Sequence, residues 1–159
     1  MVDNFNQTFK FMKLIILQGL PASGKTTWSA EYITDDTDEG RDAVVVNRDK
    51  IREMLKIDYD MFPFGNKKFE NLVTKLEDNA IIECLNNKLD VIVDATNLRG
   101  IERFEEIVAN HYYHDQITIK VVDHFLEVPV EECIERDLNR EYSIGEEIIE
   151  GMAKKYNLL

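Results

Sequence analysis

The chain has 159 residues, of which 44% are hydrophobic and 31% are charged, and its formal net charge is −12 at pH 7. These values suit one globular domain with an adequate core, and the acidic balance argues against a protein that coats duplex DNA through a broad basic face. The apolar runs are far too short to cross a membrane and no signal peptide is recognisable, so we expect no membrane attachment. Cys84 and Cys133 lack metal-like spacing, and we expect both to be buried thiols in the reducing cytoplasm.

The predicted elements alternate between strands and helices. Residues 1–11 form an N-terminal extension without clean periodicity, and one domain over residues 12–159 follows. Continuous apolar runs indicate buried strands, and apolar residues at helical spacing indicate helices. This order predicts an α/β fold with a parallel sheet of about four strands and helices on both faces. The strands are expected at 12–18, 43–46, 91–94 and 117–125. The helices are expected from Trp28 to Ile33, over a short stretch with Ile51, Met54 and Leu55 on its inner side, over 66–87, around 101–108, from Pro129, and over 144–156.

Two irregular stretches interrupt these elements. Residues 34–40 predict a polar turn, and Asp36 and Asp38 within it superficially resemble the D-x-D motif of phosphatases. Because no apolar strand precedes these aspartates, a solvated loop is the favoured interpretation. Residues 58–66 predict a second loop before the long helix.

The segment after the first strand fits the pattern G-x-x-x-x-G-K-[ST] of phosphate-binding loops, in the strand–loop–helix context that this motif requires. Its glycines allow the backbone to turn N–H groups towards phosphate oxygens, and the start of the helix adds a favourable dipole. Its lysine can reach the β- and γ-phosphates, and the next hydroxyl can bind Mg²⁺. The sequence therefore predicts a site for a nucleoside triphosphate and Mg²⁺ in this loop, which consists of Gly19, Leu20, Pro21, Ala22, Ser23, Gly24, Lys25, Thr26 and Thr27.

The loop after the second strand carries Asp49 and, three residues on, Arg52. In open parallel sheets ligands bind beyond the carboxyl ends of the strands, so both residues should lie on the side of the phosphate-binding loop. A carboxylate there can accept a proton from an attacking hydroxyl, and an arginine can hold a phosphate of the acceptor. Position alone equally allows Asp49 to be a helix N-cap with Arg52 as its surface ion-pair partner.

The third strand ends in Asp94, which Thr96 and Asn97 follow closely. A strand-end carboxylate resembles the second signature of nucleotide sites, where it meets Mg²⁺ directly or through water. The alternative is an aspartate that caps the turn. Thr96 and Asn97 offer hydroxyl and amide groups to an acceptor. Arg99 and Arg103 could add positive charge near the acceptor. Because glutamates lie beside them in the sequence, a solvent-exposed helix face of mixed charge is an equally good interpretation.

The helix after the fourth strand carries Arg136 and Arg140, four residues apart. Two like charges at this spacing repel each other unless an anion lies between them, and a triphosphate is such an anion. This interpretation predicts a helical lid that closes over the nucleotide. The alternative is an ion pair between Glu132 and Arg136, which also has favourable helical spacing.

Taken together, these motifs resemble the kinase domain of bacteriophage 5′-polynucleotide kinases, which phosphorylate 5′-hydroxyl ends, over about residues 12–156. The element G-x-P-x-S-G-K-[ST]-T-W is matched from Gly19 to Trp28, and the element N-R-D-x-x-R from Asn47 to Arg52. The element D-T-N-L after the third strand is matched with Ala95 as an extra residue. The pair V-P before a helix with two arginines is matched by Val128, Pro129, Arg136 and Arg140.

The resemblance implies an ATP-dependent kinase that uses Mg²⁺ and transfers the γ-phosphoryl group to 5′-hydroxyl ends of DNA or RNA. It implies that Asp49 is the general base and that Arg52 contacts the acceptor phosphate. It further implies that Lys25 and Thr26 engage the nucleotide and its Mg²⁺, with Asp94 as a second residue at the metal. The remaining implied site residues are the lid arginines Arg136 and Arg140 and, for the acceptor, Asp94, Thr96 and Asn97.

The chain also departs from the best-known relative in this family. It has no convincing D-x-D-x-T phosphatase motif, residues 1–11 have no counterpart, and residues 57–70 near the acceptor entrance do not match well. The sequence does not decide whether the substrate is DNA or RNA. It also leaves open whether the protein forms a homo-oligomer and whether a separate phosphatase or ligase works with it. Two rival functions also stay open: a kinase of a small-molecule hydroxyl (a nucleoside, nucleotide or antibiotic) and a non-catalytic nucleotide-binding module.

Overall fold

The computed structural model describes residues 11–35, 42–56 and 66–159. Residues 1–10 of the predicted extension, the part of the predicted turn with Asp36 and Asp38, and residues 58–65 of the second predicted loop lie outside these residues. None of the described helices is both long and apolar enough to cross a membrane. The elements are β1 (Met12–Leu17), α1 (Lys25–Thr34), β2 (Ala43–Asn47), α2 (Arg48–Met54), α3 (Lys67–Asn86), β3 (Asp90–Asp94), α4 (Glu102–Ala109), β4 (Ile117–Val122), α5 (Val130–Leu138) and α6 (Glu146–Lys155), with short 3₁₀ turns at His114–Gln116 and His124–Glu127.

The four strands form one parallel sheet in the order β2-β3-β1-β4. Parallel neighbours need crossover connections, which the helices between the strands supply. All four carboxyl ends therefore lie at the same edge of the sheet, and the loops that follow them are brought together there. The predicted α/β fold with a parallel sheet is confirmed.

The central strand β1 explains why both faces of the sheet are covered. Successive side chains of a strand point to opposite faces. Met12, Leu14 and Ile16 pack in a cluster with residues of α3 and α4, whereas Ile15 and Leu17 pack with aromatic residues of α1 and Phe125 on the other face. All five β1 side chains are fully buried. Since each contributes about 1.5–3 kcal/mol by burial, this strand is the centre of the core.

Two predicted details differ from the structure. β4 ends at Val122 rather than at residue 125, because the chain turns into a 3₁₀ helix that buries Phe125 beside the phosphate-binding loop. In α2, Met54 is not on an inner face but 67% exposed, while Arg52 is buried in its place. The reason is that α2 directs Arg52 towards Glu70 of α3, so ion pairing decides which face of this short helix is covered.

The helices α5 and α6 form a hairpin that packs directly on the phosphate-binding loop. Leu20 of that loop lies in one apolar cluster with Cys133 of α5 and Ile149 and Ala153 of α6, and all four are buried. The loop and the helical hairpin consequently share a core. This packing places the last turn of α5, which carries Arg136, beside the loop.

Candidate active site

The backbone of the phosphate-binding loop requires glycine at two positions. Gly24 has a φ of 104°, a region that side-chain-bearing residues rarely adopt. A Cβ on Gly19 would lie 2.6 Å from Phe125 Cβ and 2.7 Å from Ser23 Oγ, so this residue has no room for a side chain. No side chain caps the start of α1, so the N–H groups of its first turn stay available. Free N–H groups at a helix start fit an anion such as phosphate.

The ammonium of Lys25 is buried inside this loop. Its Nζ donates hydrogen bonds to the carbonyl oxygens of Gly19 (3.0 Å) and Leu20 (2.6 Å) and to Ser23 Oγ (3.2 Å). These bonds keep the cation folded against the loop backbone. A phosphate group placed on the loop offers the same ammonium a charged acceptor, which gives stronger hydrogen bonds than neutral carbonyls do.

The charges around Lys25 come from several loops of the sheet edge. Burial lowers the pKa of the Lys25 ammonium from 10.5 to about 8. The charges of Asp94, Cys133 and Asp49 act in the opposite direction and raise this pKa, whereas Arg140 lowers it. The structure therefore brings the residues predicted after β2, after β3 and on the lid close enough to Lys25 to influence its charge.

The carboxylate of Asp94, at the end of β3, contacts both the end of β2 and the first turn of α1. Its Oδ2 accepts hydrogen bonds from Thr26 Oγ1 and from Asn47 Nδ2, both at 2.8 Å. Asn47 also caps α2, because its Oδ1 accepts a hydrogen bond from the N–H of Lys50 at 2.9 Å. The sequence did not assign Asn47 this double role. A hydroxyl and a carboxylate at one point are hard oxygen ligands of the kind that Mg²⁺ prefers, so these residues fit the metal.

Asp49 and Arg52 lie together at the end of β2. The side chain of Asp49 is 85% exposed, and its Oδ1 accepts a 2.6 Å hydrogen bond from Arg52 Nη1. Glu70 of α3 binds the other edge of the guanidinium through Nε (3.1 Å) and Nη2 (2.8 Å). The alternative in which Asp49 is the N-cap is wrong, since Asn47 occupies that position. Arg52 is also not a surface residue but is buried.

Glu70 was not identified from the sequence, because it lies in the poorly matched segment 57–70, the end of which forms the first turn of α3. Burial raises the pKa of its carboxyl group, but hydrogen bonds from Arg52 and Arg48 outweigh burial and hold the pKa below its usual value. Glu70 is therefore a charged carboxylate at neutral pH. It compensates the positive charges of Arg48 and Arg52.

The loop after β3 is tied to the end of β1. The side-chain amide of Asn97 donates to the carbonyl oxygen of Leu17 at 2.8 Å, and the N–H of Gly19 donates to the carbonyl oxygen of Thr96 at 3.1 Å. Gln18 Nε2 in turn donates to the carbonyl oxygen of Asn97. Asn97 thus directs its amide into the fold, where it helps to fix the start of the phosphate-binding loop.

Arg136 and Arg140 line an open cleft of about 510 Å³ above the phosphate-binding loop. Arg136 Nη1 lies 3.5 Å from the carbonyl oxygen of Ala22, and Nη2 forms an ion pair with Glu132. The two interpretations of Arg136 are therefore compatible, since one guanidinium makes the helical ion pair and also faces the cleft. The remaining lining residues come from the loop and α1, namely Ala22, Ser23, Gly24, Thr27, Trp28 and Glu31.

Asp137 is a second residue that the sequence did not single out. Its side chain is buried, and its Oδ2 accepts hydrogen bonds from Ser143 Oγ (2.6 Å) and from the N–H groups of Ile144 (3.0 Å) and Gly145 (3.1 Å). Burial raises the pKa of Asp137, but these hydrogen bonds outweigh it and hold the pKa below 3.8. The carboxylate therefore fixes the turn between α5 and α6, which carries Arg140.

A family model described as an AAA domain matches residues 14–159. The chain belongs to the AAA domain family. Its curated relatives include the L-seryl-tRNA(Sec) kinase of Methanococcus maripaludis, which is 30% identical over 145 residues. That match covers 91% of this chain and 52% of the relative, so the chain spans about half the length of this curated protein.

Solved structures with similar chains include the following three. Two are described as the Pnkp1/Rnl/Hen1 complex and the Pnkp1/Rnl/Hen1 RNA repair complex, with identities of 34% and 32% and TM-scores of 0.59 and 0.67. The matches cover 82% and 96% of this chain and 40% and 46% of the other chains. A gluconokinase from Sinorhizobium meliloti 1021 is 14% identical, with a TM-score of 0.54 over 91% of this chain and 75% of its own, which shows the fold alone. The family and its relatives support a kinase-type phosphotransferase with a nucleotide-binding P-loop.

Proposed function

We propose that the chain is an ATP-dependent polynucleotide kinase that phosphorylates 5′-hydroxyl ends. One observation carries this proposal: an exposed carboxylate, Asp49, lies within electrostatic reach of Lys25 and is paired with a buried arginine, Arg52. A base next to an arginine suits an acceptor that presents a hydroxyl close to a phosphate, as the end of a nucleic acid strand does. The similarity to a chain of the Pnkp1/Rnl/Hen1 RNA repair complex supports a nucleic acid as the acceptor.

Each site residue has one task in the proposed reaction. Asp49 accepts the proton of the acceptor hydroxyl as the oxygen attacks the γ-phosphorus of ATP, and the bond from that phosphorus to the bridging oxygen of the β-phosphate breaks to release ADP. Lys25, Arg136 and Arg140 stabilise the negative charge of the phosphoryl group during transfer. Arg52 holds the acceptor phosphate. Bound Mg²⁺ would offset charge on the phosphate oxygens, and Thr26 and Asp94 are the residues that would hold it.

Two of the predicted acceptor residues have a modified task in this proposal. Thr96 lies in the loop that lines the acceptor side, and it contributes through the position of that loop. Asn97 acts on the donor side, because its amide binds the end of β1 and so supports the phosphate-binding loop. The proposed enzyme acts in the cytoplasm, and residues 12–159 form its kinase domain.

A second candidate is a kinase for the hydroxyl group of serine carried on a tRNA. The 30% identity to an L-seryl-tRNA(Sec) kinase favours it. The two candidates share the donor site and the general base, and in both the acceptor hydroxyl is carried by a nucleic acid. They differ in the atom that attacks, which is a ribose 5′-oxygen in one and a serine side-chain oxygen in the other.

Transfer of labelled γ-phosphate from ATP to a set of acceptors tests the proposal. The set contains RNA and DNA oligonucleotides with a 5′-hydroxyl, the same oligonucleotides with a 5′-phosphate, serylated tRNA, and free nucleosides. We expect label on the 5′-hydroxyl oligonucleotides and none on their 5′-phosphorylated controls. Label on serylated tRNA alone would support the second candidate, and label on no oligonucleotide would overturn the first.

A further inference from the structure

A buried carboxylate in the middle of α3 lies outside the site described so far. Glu70, Thr74 and Glu77 are spaced four and three residues apart, which places them on one face of the helix. The side chain of Glu77 is only 1% exposed. Its Oε2 accepts two hydrogen bonds of 2.8 Å, one from Arg48 Nη1 and one from Arg103 Nη2.

The two arginines lie at the starts of the helices that follow β2 and β3, on the acceptor side of the proposed site. Arg48 is the first residue of α2, directly after β2, and its neighbour in the chain is Asp49. Arg103 lies in the first turn of α4, directly after the loop that follows β3. Glu77 is therefore a common partner of both segments. A buried carboxylate is tolerated only when it is paired, and here the pairs connect three different elements.

The contacts of Arg48 restrict its position further. Its Nη2 donates hydrogen bonds to Thr74 Oγ1 (2.9 Å) and to Glu70 Oε2 (3.0 Å), so the guanidinium is bound along the acidic face of α3. Because α2 is short and begins at this residue, the orientation of its first turn follows from where Arg48 is held. That turn carries Asp49. Fixing Arg48 consequently fixes the direction in which Asp49 presents its carboxylate.

We propose that Glu77 is a positioning residue that holds the loops after β2 and β3 together and thereby orients Asp49 towards the acceptor. The proposal rests on the proposed function in so far as it assigns Asp49 to the acceptor. The donor side is held mainly by other contacts, since Lys25 is bonded to its own loop and Arg136 lies on the α5–α6 hairpin. A change at Glu77 should therefore affect use of the acceptor more strongly than ATP binding.

Glu77→Gln tests this directly, because it keeps the shape of the side chain and removes the charge that holds two arginines. We expect kcat/KM for the acceptor to fall at least tenfold, while the Kd for ATP changes by a smaller factor. Glu77→Asp should restore part of the loss because it restores the charge. Glu83→Gln is the matched control, because it makes the same substitution at an exposed glutamate of α3. Its kcat/KM should stay within twofold.

Hydrogen exchange gives a readout that does not depend on knowing the acceptor. Glu77→Gln should accelerate amide exchange in residues 47–52 and 95–101, and Glu83→Gln should not. Equal exchange in these segments, or a loss of ATP affinity as large as the loss of acceptor use, would overturn the proposal. If the unmodified protein phosphorylates no 5′-hydroxyl oligonucleotide, the proposed function fails, and the exchange measurement still decides the role of Glu77.

Discussion

The hydroxyl of Thr26 donates a 2.8 Å hydrogen bond to Asp94 Oδ2 and so joins the first turn of α1 to the end of β3. The same carboxylate oxygen accepts a second hydrogen bond from Asn47 of the neighbouring strand. Asp94 is almost completely buried, so its orientation is fixed by these partners. Oxygen ligands that are held in place in this way bind a metal ion with little reorganisation.

Thr26→Ala should therefore weaken the response to Mg²⁺. The variant loses the hydroxyl itself and leaves Asp94 with one partner fewer, and changes of this kind lower metal affinity by roughly 10–100-fold. The measurement is phosphoryl transfer as a function of Mg²⁺ concentration. Thr34→Ala, at the exposed end of the same helix, is the control and should leave the half-maximal concentration unchanged. An unchanged Mg²⁺ requirement in Thr26→Ala would exclude Thr26 from the metal site.

Asp49→Asn should separate ATP binding from catalysis. An amide cannot accept the proton of the attacking hydroxyl, and loss of a general base lowers kcat by about 10²–10⁴-fold. Asp49 is exposed and lies outside the phosphate-binding loop, so the Kd for ATP, measured by calorimetry, should change little. Glu53→Gln removes another exposed carboxylate from α2 and should keep full activity. A kcat within tenfold of the unmodified protein would refute the role of Asp49.

The affinity for ATP should depend on pH through Lys25. Its pKa in the free protein is about 8, and bound phosphates favour the charged ammonium and so raise this pKa. Below pH 8 the lysine is already charged and the Kd is independent of pH. Above pH 8 binding takes up a proton, and the Kd rises by up to about tenfold for each further pH unit.

Calorimetry between pH 7 and 9.5, in buffers of different ionisation enthalpy, measures both the Kd and the proton uptake. The Lys25→Met variant provides the control, because it binds ATP more weakly and should lose the proton uptake. A Kd that stays constant across this range in the unmodified protein would contradict a depressed pKa for Lys25.

The same substitution should have opposite effects at two glycines. Gly19→Ala places a Cβ against Phe125 and Ser23, and forcing extra volume into a packed site lowers the free energy of unfolding by about 1–3 kcal/mol. Gly151 lies within α6 with open space around it. There Gly151→Ala should raise the free energy of unfolding by about 0.5–1 kcal/mol, because glycine is the weaker helix former. Urea unfolding measures both, and a neutral Gly19→Ala variant would show that the loop can move away.

Asp137→Ala should loosen the turn that carries Arg140. It leaves the N–H groups of Ile144 and Gly145 without their acceptor, which lowers the free energy of unfolding by about 1–3 kcal/mol. We expect the KM for ATP to rise as well, since Arg140 lines the nucleotide cleft. Because the pKa of Asp137 lies below 3.8, its contribution is fully present above pH 3.8 and is lost as the pH falls through the lower, folded-state value.

Ser143→Ala is a milder variant for comparison with Asp137→Ala, because it removes only one of the three hydrogen bonds that Asp137 accepts. It should lower the free energy of unfolding by about 0.5–1.5 kcal/mol and leave the KM for ATP nearly unchanged. Urea unfolding and steady-state kinetics report the two quantities. Equal effects of the two variants would mean that the backbone bonds to Asp137 contribute nothing.

The sequence by itself determined the order of strands and helices, the position of the phosphate-binding loop, and the edge of the sheet at which the site lies. Continuous apolar runs predict β1 and β3, glycine and lysine spacing predicts the phosphate-binding loop, and the parallel order places Asp49 and Asp94 at one edge of the sheet. These features follow from local rules, namely the two-residue period of a strand, the φ angles open to glycine, and the fixed direction of parallel strands.

Only the tertiary structure decided which polar groups meet. Asn47 binds Asp94, Glu77 binds Arg48 and Arg103, and α2 buries Arg52 instead of Met54. The chain has 31 acidic and 19 basic residues, so many pairings satisfy local spacing equally well. The packing of α2, α3 and α4 on the sheet selects among them, because an ion pair forms only where two side chains are brought within hydrogen-bonding distance.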